Sequence, residues 1–125
     1  MGKYGQAAIM AVKLIKAGRK PVEAWEKATC QIFGEGTSMQ RKGCPRGAFL
    51  GLCEEGLING IPKGKYTRSK KNKSYAVKAV SILKNNQTKR YTERTLWHEV
   101  IGKEDKAYNQ QMDVVITLWE KGYIT

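Results

Sequence analysis

A chain of 125 residues has the size of one domain, and 41% hydrophobic with 27% charged residues is a globular balance, which excludes a disordered chain and any need for disulfides or metal to hold a core. A net charge of +12, from 23 Lys and Arg against 11 Asp and Glu, points to an acidic partner. No apolar run is long enough to span a bilayer, and the N-terminal MGKYGQAAIMAVKLIK has a glutamine and interior lysines where a signal peptide needs a clean apolar stretch, so a single cytoplasmic domain over residues 1–125 with no membrane partner is expected.

Along the chain, Tyr4 to Ala17 places Ala8, Ala11, Val12 and Ile15 on one face with Lys13 and Lys16 off it, an amphipathic helix closed by Gly18. Pro21 opens a second helix, PVEAWEKATCQIF, with Val22, Trp25, Ala28, Thr29 and Ile32 at helical spacing and Gly34 at its end. Residues 34–43 (GEGTSMQRKG) are almost free of apolar side chains and read as a loop in which Thr37 and Gln40 can form a capping box.

The stretch from Gly43 to Lys73 is the centre of the sequence. Cys44-Pro45 suits a helix start, Ala48, Phe49, Leu52 and Cys53 form its apolar face, and Gly56 is placed as a left-handed cap. Leu57-Ile58 and Ile61 then read as a short β segment, turned at Pro62-Lys63-Gly64 and returned antiparallel by Lys65-Tyr66-Thr67, before the basic run RSKKNK. Ser69 or Asn72 can cap the next helix, whose face is Ala76, Ala79, Val80 and Leu83. Lysines 70, 71 and 73 crowd its N-terminus, where the helix dipole disfavours cations and a bound anion would relieve them.

After a polar connector, Thr92 or Thr95 opens a helix with Leu96, Trp97, Val100 and Ile101, and a last helix from about Ala107 to Lys121 presents Tyr108, Met112, Val115 and Leu118-Trp119. Its exit, LWEKGYI, echoes LCEEGLI at residues 52–58, so both helices are expected to anchor their exits on one core. The sum is a mainly α fold of about five helices with one short β-hairpin. The order recognition-type helix, glycine, apolar segment, basic hairpin locally resembles a winged helix-turn-helix, leaving a winged-helix variant open, although the long 34–43 loop departs from the short turn of that motif.

Charge locates the function better than pattern does. Between Lys63 and Arg94 there are eleven basic residues and one acid, Glu93, a segment of +10, whereas the rest of the chain carries +2. A concentrated positive field binds polyanions through counterion release, so the expected function is nucleic-acid binding, to DNA or RNA, by a basic hairpin and helix start. The candidate residues are Lys63, Lys65, Arg68, Lys70, Lys71 and Lys73 for phosphates and Tyr66 for stacking, with Arg41, Lys42 and Arg46 extending the surface. The alternative is a regulator or inhibitor that binds a nucleic-acid-acting partner through an acidic protein surface, including one of mobile-element origin.

Catalytic signals are sparse. Cys44, at a helix start between Lys42 and Arg46, is a candidate reactive thiol without an evident base. Cys30, Cys44, Cys53 and His98 lack the paired spacing of a zinc site, no phosphate-binding glycine loop is present, and no cofactor is expected. WEKAT, FGEGT, the long run KGCPRGAFLGLCEEGLINGIPKGKYTRSKKNKSYAVKAV and QMDVVITLWEKG together resemble a small bacterial family of unknown function over nearly the whole chain. That resemblance implies no activity and no site residues.

Overall fold

The computed structural model describes residues 2–125 as six helices: α1 (Lys3–Lys16), α2 (Pro21–Phe33), α3 (Gly43–Glu54), α4 (Lys70–Asn85), α5 (Glu93–Ile101) and α6 (Gln111–Glu120). Two expectations are corrected. The helices are six rather than about five, and among the described residues there is no strand, so the short β-hairpin, and with it the wing of a winged-helix variant, is not formed. The nine-residue α5 stands as a helix of its own because Thr92 and Thr95 close a capping box: each hydroxyl accepts the other residue's backbone N–H.

The segment expected to be a hairpin spends its backbone donors elsewhere. Ile58 and Ile61 are buried and pin it to the core. The Asn59 N–H donates to the Tyr123 carbonyl at 2.8 Å, and the Tyr66 and Thr67 N–H groups donate to Glu54 Oε1 at 2.7 and 3.3 Å. The Gly64 N–H reaches the Glu54 carbonyl at 3.3 Å. With those donors committed to one carboxylate, one helix end and the C-terminal segment, no cross-strand ladder is left to form.

Helices α3 and α6 form the centre, which is why each is buried on more than one face. Residues 47–53 of α3 are all buried, as are residues 111–118 of α6 apart from the half-buried Asp113. Around them α3 packs on α4 and α6, and α6 also meets α1, α4 and α5. Trp25 of α2 stacks on Phe49 of α3 with ring centroids 5.0 Å apart, and burial of each such ring contributes roughly 2–3 kcal/mol. Helix α6 begins at Gln111 rather than near Ala107, because Gln110 takes a left-handed φ of 64° at the N-cap.

The two echoing exits are built alike. Gly56 and Gly122 have φ of 69° and 79°, and the following N–H groups, of Leu57 and Tyr123, donate back to the carbonyls of Leu52 and Leu118 at 3.0 and 2.9 Å. Ile58 and Ile124, two residues beyond each glycine, are both buried, and the Asn59–Tyr123 hydrogen bond ties one exit to the other.

Close approach of α3 and α4 sets the geometry of the functional face. A Cβ at Gly51 would lie 2.6 Å from Lys73 Cβ and 2.7 Å from Lys73 Cα, and one at Gly47 would lie 2.9 Å from the Cβ atoms of Ser69 and Asn72. Glycine at both positions lets the first turn of α4 lie almost on the α3 backbone.

Candidate functional site

That approach brings the N-termini of α3 and α4 to one place. Between them and the 65–69 segment lies an open cleft of about 830 Å³, whose walls carry Cys44, Arg46, Lys65, Tyr66 and Arg68, with Thr67, Ser69 and Asn72 adding neutral hydrogen-bonding groups. No Asp or Glu lines it. Neither helix start is capped by a side chain, and neither first turn contains an acid. The positive ends of both dipoles are therefore uncompensated beside the cations.

Among the described residues, ion pairs engage only Lys71, Lys73 and Lys89, which leaves Arg46, Lys65 and Arg68 without a carboxylate partner. Arg46 is half-buried and the other two are exposed. Arg41 shares an adjoining hollow with Arg46, and Lys70 shares another with Arg68, but each of these hollows also carries two glutamates, so the acid-free lining is confined to the cleft itself.

The remaining sequence candidates have other employment. Lys73 Nζ bridges Glu54 at 2.5 Å and Glu55 at 2.7 Å, Lys71 pairs with Glu104 at 3.3 Å, and Lys42 donates to Gln110 Oε1 at 2.5 Å on a separate face. Lys63 lays its stem against Gly56. The Tyr66 ring folds over Gly64 and its hydroxyl donates to the Pro62 carbonyl at 3.0 Å, at the edge of the cleft that the residue helps to line. Cys44 shares the cleft with no histidine or carboxylate that could act as its base. His98 is exposed on α5, and among the described residues no three His, Cys, Asp or Glu side chains gather as a metal site.

Three residues hold this site in shape, of which sequence reasoning singled out Asn72 but neither Glu54 nor Gln111. Glu54 fastens the 65–68 wall from one side. On the floor, Asn72 donates to Ser69 Oγ at 2.8 Å and accepts from the fully buried Gln111 amide at 3.1 Å, linking α4 to the start of α6. A buried amide at a helix start is visible in sequence only as one more polar residue. The glycines at 47 and 51, one helical turn apart, were the legible signal that a neighbouring helix comes close.

Glu54 and Lys73 also set the response to pH. The Lys73 ammonium, followed by the Tyr66 and Thr67 N–H groups, holds the Glu54 carboxyl below its ordinary value of 4.5, and the two carboxylates raise Lys73 above 10.5. A lowered acid means that the unfolded state binds more protons, so this stability is complete above about pH 4.5 and is lost as pH falls through the folded value of Glu54. The raised lysine gives the opposite edge: its contribution is complete below 10.5 and disappears as pH rises through the folded value of Lys73. Asp113, raised by burial, has the opposite sign to Glu54 at the acid end. Thermal melts from pH 3 to pH 7 are therefore expected to show stability rising with pH, and Glu54→Gln is expected to flatten the rise; an unchanged slope would remove Glu54 as its source.

Comparison with known proteins finds a family model, described as a family of unknown function (DUF6979), that matches residues 1–125. No curated protein and no solved structure matches the chain.

Proposed function

We propose, for a chain that belongs to the family of unknown function DUF6979, that the cleft between the α3 and α4 N-termini binds nucleic acid through its phosphates. The observation that carries this reading is the acid-free lining: Arg46, Lys65 and Arg68 without ion-pair partners, at the open ends of two uncapped helices. Phosphate oxygens accept from guanidinium, ammonium and free backbone N–H groups alike, and helix N-termini favour negative charge. Thr67, Ser69 and Asn72 supply further hydrogen-bonding groups at the same surface. Of the basic residues, Arg46, Lys65 and Arg68 form the centre of the site, Arg41 and Lys70 its flanks, and Lys73 is a structural residue.

Fluorescence anisotropy with short labelled duplex and single-stranded probes over a salt series tests this. Affinity is expected to fall steeply with salt, and the triple variant R46A/K65A/R68A is expected to reduce the slope of log K against log [salt] by roughly 2–3 units, close to one for each phosphate that is no longer neutralised. Lys63→Ala, outside the cleft, should change the slope little. No binding of either probe at low salt would end the proposal. A glutamate-rich peptide of equal charge that competes as well as the oligonucleotide would reassign the cleft to an acidic protein surface.

A further inference from the structure

Arg46 stands between the cleft and a second hollow of about 490 Å³ formed by α2, the 34–42 loop and the start of α3. The two differ in chemistry. The second hollow is lined by two guanidinium groups, Arg41 and Arg46, and by two carboxylates, Glu26 and Glu35, and none of the four is engaged in an ion pair. Trp25 also lines it. That indole is 1% exposed, locked by its stack on Phe49, and its Nε1–H is buried with no hydrogen-bond partner among the described residues. An unpartnered buried donor costs about 1–3 kcal/mol, which a ligand acceptor would recover. Glu35, Gly36 and Arg41 at the rim are exposed, so the hollow is open to solvent at its rim, with the buried indole in its wall.

Carboxylates make this second hollow a poor seat for a naked polyanion and a suitable one for a neutral group that has both donors and acceptors. Its volume falls within the roughly 300–1,000 Å³ range of small-ligand sites. Resting on the nucleic-acid reading of the neighbouring cleft, we propose that this hollow takes an unstacked guanine of a single strand whose phosphates lie along Arg46, Lys65 and Arg68. Guanidinium and indole N–H groups match the O6 and N7 acceptors of guanine, and a carboxylate matches its N1–H and N2–H donors. Adenine presents a donor at the position of O6, and an abasic residue presents nothing. A duplex keeps the Watson–Crick edge occupied, so single strands are favoured.

Anisotropy with a thymidine oligonucleotide carrying one central guanine, and with the same strand carrying adenine or an abasic residue there, reads the preference at constant charge. Wild type is expected to bind the guanine strand roughly tenfold more tightly than the other two. Trp25→Phe, which keeps a ring against Phe49 but removes the N–H, and Glu35→Gln are each expected to cut that ratio severalfold while leaving the salt slope intact. K65A/R68A should do the reverse, lowering affinity and slope for all three strands at an unchanged ratio. In the wild-type protein, the Trp25 indole N–H signal in a two-dimensional nitrogen–proton NMR spectrum, assigned by elimination with Trp97→Phe and Trp119→Phe, should move with the guanine strand and stay in place with the abasic one. Salt-dependent binding with equal affinity for the three strands and a stationary indole signal would overturn the guanine site while the phosphate cleft stands. Failure of every strand to bind at low salt would overturn both.

Discussion

Gly51→Ala is expected to destabilise the protein by about 3 kcal/mol and to lower its melting temperature by roughly 10 °C. The added methyl would sit 2.6 Å from Lys73 Cβ and 2.7 Å from Lys73 Cα, and the Cα belongs to the α4 backbone, so no rotamer change relieves the clash. The first turn of α4 has to move away from α3. That motion pulls Lys73 off Glu54 and Glu55 and shifts Ser69 and Asn72 on the cleft floor, so damage to the packing and damage to the site are coupled. Gly43→Ala is the matched control: nothing lies within 4 Å of its added Cβ, and its effect should stay within about 0.5 kcal/mol or be mildly stabilising. Thermal and chemical denaturation of the two variants beside wild type decides the matter. A Gly51→Ala protein that melts with wild type would mean that the close approach is not what holds these helices together.

Glu54→Ala should have the next largest effect, about 2–3 kcal/mol, because one carboxylate makes three hydrogen bonds, to Lys73 Nζ and to the Tyr66 and Thr67 N–H groups. Its consequences differ from those of the glycine variant. The helices keep their packing, and the 57–69 segment is deprived of the clasp that takes the place of a hairpin, so amide exchange at Tyr66 and Thr67 should accelerate by orders of magnitude while the amides of α6 keep more of their protection. Glu54→Gln retains an acceptor for the N–H groups and should fall between wild type and alanine. If exchange at Tyr66 and Thr67 were unaltered in the alanine variant, the segment would owe its shape to Ile58 and Ile61 alone.

Both effects explain why the residue pattern of the central segment suggests a strand pair that does not form. Leu57-Ile58, Ile61 and the turn around Pro62 do have the residue pattern of a hairpin, and pattern reports only that alternate side chains are buried. Whether backbone donors find a facing strand depends on what else is within reach. Here a helix-terminal glutamate and the C-terminal exit arrive first. The candidate cations were divided by the same cause. Eleven basic residues between Lys63 and Arg94 were plain as a charge density, but separating Lys65 and Arg68, which face the cleft, from Lys73, which is neutralised by two glutamates, requires knowing that Gly51 lets α4 come down beside Glu54.

The sequence by itself outlined the helical segments, though neither their number nor the start of α6, and it determined the two glycine-capped exits, because periodicity, proline starts and glycine caps act within a few residues. It also located the positive charge, which is additive and needs no fold. Only the tertiary structure decided that the middle segment is clasped instead of paired, that two uncapped helix starts converge on one acid-free cleft, and that Trp25, whose buried N–H has no partner among the described residues, lines the hollow beside it. Each of these depends on side chains and backbone far apart in the chain meeting in space, and no local preference contains that distance.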